Sequence, residues 1–82
     1  MKSQYKEKRM AGTYKLVELV GTSNSSFFEA AKAAVAEASK TLGQLEWFEV
    51  VRETGKIVDG QVKEFQVTLK VGCKMPAATD AS

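Results

Sequence analysis

The sequence predicts an α+β fold with the element order β-α-β-β, in which a three-stranded antiparallel sheet wraps around one helix. Residues 13–20 and 61–73 alternate between apolar and other side chains, which is typical of half-buried strands. Residues 27–42 instead repeat apolar side chains at the spacing of a helix packed on one side. Asp59-Gly60 is a tight-turn signal between two β-rich stretches. These observations favour one helix packed as a single layer against one sheet.

The first predicted element is a strand over residues 13–20, TYKLVELV. Its alternation places Val17 and Leu19 on one face of the sheet and Leu16 and Val20 on the other. The next six residues, GTSNSS, are rich in small polar side chains and are predicted to form the turn that leads into the helix.

The helix is predicted to run from about Phe27 to Leu42. Ser26 lies three residues before Glu29, which is the spacing of a capping box, and Gly43 is suited to end the helix. The predicted apolar stripe consists of Phe27, Ala31, Ala34, Val35, Ala38 and Leu42. Because most of these side chains are small, the sheet is expected to approach the helix closely.

The second and third strands are predicted over residues 44–54 and 61–73, joined through the turn GKIVDG. The side chains predicted to face the helix are Val17, Leu19, Phe48, Val50, Phe65, Val67, Leu69 and Val71. Those predicted on the opposite face are Leu16, Glu18, Val20, Leu45, Trp47, Glu49, Val51, Gln66, Thr68 and Lys70. A single helix covers only one face, so the second face is expected to be buried in a symmetric oligomer.

Trp47 is the only tryptophan, and it lies on the face that the helix does not cover. A large aromatic side chain in this position indicates a subunit interface or a platform on which a flat ligand stacks. Gln66 is predicted on the same face, and its carboxamide offers donors and an acceptor that suit the edge of a heterocycle. The residues alone leave both alternatives for Trp47 open.

Composition argues against several classes of function. The net charge of +2, from 12 basic and 10 acidic residues, is too balanced for an electrostatic nucleic-acid binder. Histidine is absent and no nucleophile–base pair is evident, so no enzyme is expected. The acidic residues have no spacing that forms a metal cage, so no metal site is predicted.

The single cysteine and the absence of a long apolar segment favour a cytoplasmic protein that does not enter a membrane.

The chain is predicted to contain one folded domain over residues 12–75. The preceding residues 1–11 are polar and charged, with a net positive charge, and are expected to form a flexible basic arm. Residues 76–82, PAATDAS, are expected to form a flexible tail.

Three stretches of the sequence, VELVGTSNSSF, KTLGQLEWFEVV and DGQVKEFQVTLKVG, together resemble the dodecin family of small flavin-binding proteins. The resemblance covers about Thr13 to Lys74 and implies the same β-α-β-β fold in a hollow homo-dodecamer with 23 symmetry. It implies that FMN or riboflavin stacks between tryptophans of two subunits near two-fold axes, and that Trp47 is that tryptophan. It also implies that Gln66 hydrogen-bonds the pyrimidine edge of the flavin. Some relatives also bind coenzyme A at a separate site.

The chain departs from the family pattern at two positions that concern the ligand's polar tail. Thr54 and Lys74 stand where arginines are expected, and both remain, with Glu46, among the predicted flavin-binding residues. Lysine keeps the charge but lacks the bidentate fork of arginine. Arg52 could compensate, but its alternation predicts that it points to the other face. The expected function is non-enzymatic flavin storage and buffering, and the alternative is a coenzyme A-binding or structural shell with weak flavin affinity.

Overall fold

A computed structural model describes residues 12–75 and shows the predicted order of elements. The elements are strand β1 (Tyr14–Ser23), helix α1 (Phe27–Leu42), strand β2 (Leu45–Val58) and strand β3 (Gln61–Lys74). Strand β3 lies in the centre of the sheet and pairs antiparallel with β1 on one side and β2 on the other. The predicted fold is therefore confirmed, whereas the predicted arm (1–11) and tail (76–82) lie outside the described residues.

Two of the strands are longer than the sequence predicts. Strand β1 continues through Gly21–Ser23, which pair with Phe65–Val67, so half of the predicted GTSNSS turn is strand. Strand β2 continues through Gly55–Val58, which are the first four residues of the segment GKIVDG that was predicted to hold the turn. Pairing with β3 gives these backbone groups hydrogen-bond partners, and this outweighs the local preference of glycine and serine for turns.

The predicted helix caps and hairpin turn are present. The Ser26 hydroxyl oxygen accepts a hydrogen bond from the Glu29 backbone N–H at 3.0 Å, while the Glu29 carboxylate lies 3.6 Å from Lys32 Nζ. Asp59 and Gly60 have φ angles of 50° and 76°. Two successive left-handed residues characterise the type I′ turn, whose twist matches that of the hairpin strands.

The core lies between α1 and the β1–β3 half of the sheet. Its buried residues are Ala30, Ala31, Ala34, Val67, Leu69 and Val71. Ala30 is fully buried although it lies outside the predicted stripe, and Gly21 explains why. A Cβ atom at Gly21 would overlap the Ala30 carbonyl oxygen and lie 2.8 Å from Ala34 Cβ. The glycine thus lets the helix backbone approach the strand backbone directly.

The prediction that Phe48 and Val50 belong to the core is wrong. They are 49% and 45% exposed, because α1 packs over β1 and β3 and barely reaches β2. Their side of β2 instead borders an apolar groove of about 310 Å³, lined by Phe28, Ala31, Lys32, Val35, Ala36 and Phe48. The helix therefore leaves apolar surface uncovered on both faces of the sheet.

Two irregularities in β2 change which side chains share a face. Leu45 pairs with Cys73 but Trp47 pairs with Gly72, so Glu46 occupies a bulge between them. Because partners across a ladder share a face, Leu45 lies on the helix side and packs against the core, contrary to the prediction.

A second bulge lies at Val51, between the residues paired with Leu69 and Thr68. It removes Val51 from the ladder and interrupts the alternation on which the prediction for Val51 rested. The same bulge moves Arg52, the partner of Thr68, to that face, against the predicted orientation.

Candidate functional site

The sheet surface opposite α1, here called the helix-free face, carries four of the five predicted site residues. Its members are Tyr14, Leu16, Glu18, Val20 and Thr22 of β1, Trp47, Glu49, Arg52, Thr54 and Lys56 of β2, and Glu64, Gln66, Thr68, Lys70, Gly72 and Lys74 of β3. Trp47 lies on this face, as predicted, and not beneath the helix of its own chain. The face has an aromatic end around Trp47 and a polar end around Gln66.

Trp47 lies flat on the backbone of β3 at the aromatic end. A Cβ atom at Gly72 would lie 2.5–2.6 Å from three atoms of the six-membered ring of the indole. This contact requires glycine, because any side chain would occupy the space that the ring fills. The indole is still 44% exposed, so it presents aromatic surface on which a flat molecule can stack.

Tyr14 packs against the indole of Trp47. The two ring centroids are 5.2 Å apart and the ring planes meet at 67°, an edge-to-face arrangement that suits the quadrupoles of both rings. Leu16, which pairs with Gly72, lies on the same face and is 51% exposed. Three residues thus form a rigid, partly exposed apolar surface: Tyr14, Leu16 and Trp47.

Gln66 lies at the polar end in a chain of side-chain hydrogen bonds. Thr54 Oγ1 donates to Gln66 Oε1 at 3.0 Å, and Gln66 Nε2 donates to Glu64 Oε1 at 3.1 Å. Thr54 and Gln66 are cross-strand partners, so the structure brings together two predicted site residues. The carboxamide retains one N–H and one oxygen lone pair for a ligand.

Trp47 and Gln66 share a face but do not meet within one chain. Trp47 pairs with Gly72, six residues along β3 from Gln66, which corresponds to roughly 20 Å of strand. A fused three-ring ligand is shorter than this span. One chain therefore supplies a stacking surface at one end and a hydrogen-bonding group at the other, and a ligand that uses both requires two chains.

Four cations occupy the helix-free face and could meet an anionic ligand group, and one of them, Lys56, pairs with Glu64. Lys74 pairs with Tyr14 and lies on the aromatic end, whereas Arg52 lies two residues from Thr54 on the polar end. Lys70 lies between them, and its two cross-strand partners are both glutamates, Glu18 and Glu49. Opposite charges in these positions attract each other, so Arg52 and Lys74 are the more available cations.

Glu46, the fifth predicted site residue, lies in the bulge beside Trp47. Its Oε2 accepts a hydrogen bond from Gln44 Nε2 at 2.8 Å. It also borders a pocket of about 170 Å³, lined by Val35, Leu45, Glu46, Trp47, Phe48 and Val71. The bulge thus places a carboxylate at the margin of the aromatic end, away from Gln66 and Thr54.

Sequence reasoning missed three residues of this face. Gly72 carried a signal, because an isolated glycine within an alternating strand indicates a close approach by another group. The position of Tyr14 beside Trp47 depends on the pairing of β1 with β3, which no local pattern reveals. Arg52 was hidden by the bulge at Val51, which reverses the alternation along β2.

Two further findings concern the described part of the chain. Over residues 12–75, no group of three or more Cys, Asp or Glu side chains is arranged to hold a metal ion. The one helix in this range is too short and too polar to cross a membrane.

Comparison with known proteins supports this architecture. A family model described as Dodecin matches residues 13–76. The dodecin of Thermus thermophilus is 50% identical over 66 residues, which cover 80% of this chain and 96% of that protein. The structure of dodecin from Streptomyces coelicolor has a TM-score of 0.76 and 47% identity, covering 78% of this chain and 91% of that one.

A more distant solved structure has the same fold. It is a calcium dodecin from Mycobacterium tuberculosis, described as a calcium-chelating antigen with a calcium-binding site. It has a TM-score of 0.70 and 26% identity, and covers 79% of this chain and 93% of that one. The family match over most of the chain, the close relative and the shared fold agree: this protein belongs to the dodecin family.

Proposed function

We propose that this protein is a non-enzymatic flavin-binding protein that stores and buffers FMN or riboflavin as a homo-dodecamer. The observation that carries the proposal is Trp47, which is held flat on Gly72 yet remains 44% exposed. Together with the exposed Tyr14 and Leu16, it forms an apolar patch of the kind that marks a binding or subunit surface. A stacked flavin ring, with a second subunit behind it, would complete the burial.

Two subunits are needed because each chain separates its stacking and hydrogen-bonding groups by about 20 Å. Across a two-fold axis, every contact occurs twice. Paired flavin rings would stack between the Trp47 side chains of two subunits, and each aromatic pair contributes ~0.5–1.5 kcal/mol beyond area burial. A Gln66 from a neighbouring subunit would then hydrogen-bond the pyrimidine edge of the ring.

Stacking on tryptophan would also give the protein a protective role. An excited flavin accepts an electron from a stacked indole, and return of that electron restores both partners in their ground states. No bond changes and no co-reactant is consumed, so the light energy is released as heat. A protein that holds flavin in this way limits the photochemistry of free flavin while keeping it available.

A fluorescence titration of riboflavin with apo-protein tests the proposal. Wild-type protein should quench the emission, and Trp47→Ala should weaken binding by at least about tenfold, since the stacking and its buried area are both lost. Trp47→Phe is the matched variant, because it keeps a flat ring but is a poor electron donor. It should retain part of the binding, measured by ultrafiltration, and lose most of the quenching of bound flavin. Unchanged riboflavin emission with wild-type protein would refute the proposal.

A second candidate function is a coenzyme A-binding or structural shell with weak flavin affinity. The observation that favours it is Thr54, which occupies an expected arginine position and offers no positive charge for the phosphate of FMN. Lys74 likewise stands where an arginine is expected, and its ammonium group is a point charge that cannot form the paired hydrogen bonds of a guanidinium. Native mass spectrometry of the purified particle separates the candidates, because the two ligands differ in mass. The absorption spectrum gives a simpler check, since bound flavin colours the protein yellow.

The expected cytoplasmic location remains part of this proposal. It rests on the single cysteine, which has no partner for an internal disulfide and suits a reducing compartment.

A further inference from the structure

The carboxamide of Gln66 is fixed from two sides by neighbouring side chains. Among residues 12–75, the Thr54–Gln66 contact is the only side-chain hydrogen bond that joins two strands. Gln66 and Glu64 are half-buried, while Thr54 is exposed. A half-buried amide with two neighbouring partners has far fewer orientations than a free glutamine on a sheet surface.

The chemistry of the three groups determines the direction of the hydrogen bonds. The ionised Glu64 carboxylate only accepts, so it must face the nitrogen of the Gln66 amide. The amide oxygen then faces Thr54, whose hydroxyl can donate or accept and must here donate. Rotating the amide by 180° would turn its oxygen towards the carboxylate, which is repulsive, so only one orientation is favourable.

The fixed amide presents a directional pattern to a ligand. Gln66 Nε2, which donates one N–H to Glu64, keeps its second N–H for the ligand. Gln66 Oε1, which accepts from Thr54, keeps one lone pair for the ligand. This pattern matches a cyclic imide edge, in which a ring N–H adjoins a carbonyl. The N–H donates to Gln66 Oε1 while the carbonyl accepts from Gln66 Nε2.

We propose that Thr54 and Glu64 are positioning residues that hold the Gln66 carboxamide ready for the imide edge of the ligand. The inference rests on the proposed flavin-binding function and assigns Thr54 a role other than phosphate recognition. Neither residue has to touch the ligand. Their effect is to remove the reorientation that a free carboxamide would undergo on binding, which is a cost of association.

The chain offers a matched control for Thr54. Gln66 has a threonine as cross-strand partner on both sides, Thr22 in β1 and Thr54 in β2. Of these two threonines, only Thr54 forms a hydrogen bond with Gln66. Replacing threonine with valine conserves the shape and the β-branching of the side chain. Thr54→Val removes a hydrogen bond to Gln66, whereas Thr22→Val makes the same change of side chain without removing one.

The experiment compares riboflavin with its analogue methylated at the imide nitrogen, using fluorescence titration of the assembled particle. The analogue can stack but cannot donate a hydrogen bond to Gln66 Oε1. Thr54→Val should weaken riboflavin binding about three- to tenfold, the range of one hydrogen bond, and leave binding of the analogue unchanged. Thr54→Ser should restore riboflavin affinity, and Thr22→Val should not alter it.

The outcomes separate the inference from the proposed function. If wild-type protein binds neither ligand, the proposed function fails and the inference fails with it. If wild-type protein binds riboflavin and Thr54→Val binds it equally well, only the inference is overturned. An equal loss for riboflavin and the methylated analogue would also overturn it, because a structural disturbance would affect stacking as much as the imide contact.

Discussion

At the scale of single residues, the site depends on one pair, Trp47 and Gly72. The tryptophan supplies the aromatic surface, and the glycine supplies the space in which the ring lies flat against the sheet. Tyr14 also packs against the ring in an edge-to-face arrangement. The orientation of the indole is therefore set before any ligand arrives, which lowers the cost of ordering it on binding.

Gly72→Ala should disturb the packing of Trp47, because it adds a methyl group in the space that the indole occupies. The added Cβ would meet the indole at 2.5 Å, so the ring must tilt away, and we expect a loss of about 1–3 kcal/mol in unfolding free energy. Riboflavin quenching should fall with it. The double variant with Trp47→Ala is the control, because without the ring the alanine meets no obstacle. An equal cost in both backgrounds would show that the clash is not the cause.

At the scale of elements, the helix is specified locally and positioned by tertiary contact. Ser26 and Gly43 mark its ends in the sequence, and both act as predicted. Its location over β1 and β3 depends on the direct approach of Ala30 to Gly21, which leaves β2 uncovered. This placement explains why Phe48 and Val50 are half-exposed despite lying on the helix side.

Ser26→Ala should destabilise the fold by about 1 kcal/mol, because the Glu29 N–H loses its only capping oxygen. Ser25→Ala is the matched control, since the hydrogen bond there is donated by the Ser25 backbone N–H and survives the change. Chemical denaturation at one fixed protein concentration measures both, because the stability of an oligomer varies with concentration. A cost for Ser25→Ala equal to that of Ser26→Ala would contradict the capping role.

At the scale of the whole molecule, one chain leaves too much apolar surface exposed on both sides of the sheet. Leu16 and Val20 are 51% and 61% exposed on the helix-free face, and Phe28 and Phe48 are 68% and 49% exposed around the groove on the helix side. Soluble monomers seldom expose patches of this kind. Assembly of several copies would bury both surfaces, in agreement with the proposed dodecamer.

Phe48→Glu should prevent or weaken assembly. The groove that Phe48 borders is almost entirely apolar, and a carboxylate buried there in the assembly would lack a partner other than Lys32. Sedimentation should show a smaller particle than the wild type. Ala33→Glu places the same charge on an exposed part of α1 outside the groove and should assemble normally. A Phe48→Glu particle of full size would argue that this groove is not an interface.

The sequence by itself determined the order of elements, the caps, the turn at Asp59-Gly60 and the helix-free position of Trp47. Each of these follows from local periodicity or from a backbone conformation that only a few residue types adopt. The resemblance to dodecins added the expected dodecameric assembly and the expected roles of Trp47 and Gln66 in binding a flavin.

Only the tertiary structure decided which residues surround Trp47 and Gln66. The bulges at Glu46 and Val51 reverse the alternation along β2, so Leu45 and Arg52 exchange the faces predicted for them. The contacts of Trp47 with Gly72 and of Thr54 with Gln66 arise from cross-strand pairing between residues far apart in sequence. The two-residue period of a strand predicts which side chains share a face. One inserted residue moves every side chain beyond it to the opposite face. Only the pairing with the neighbouring strand reveals where that residue lies.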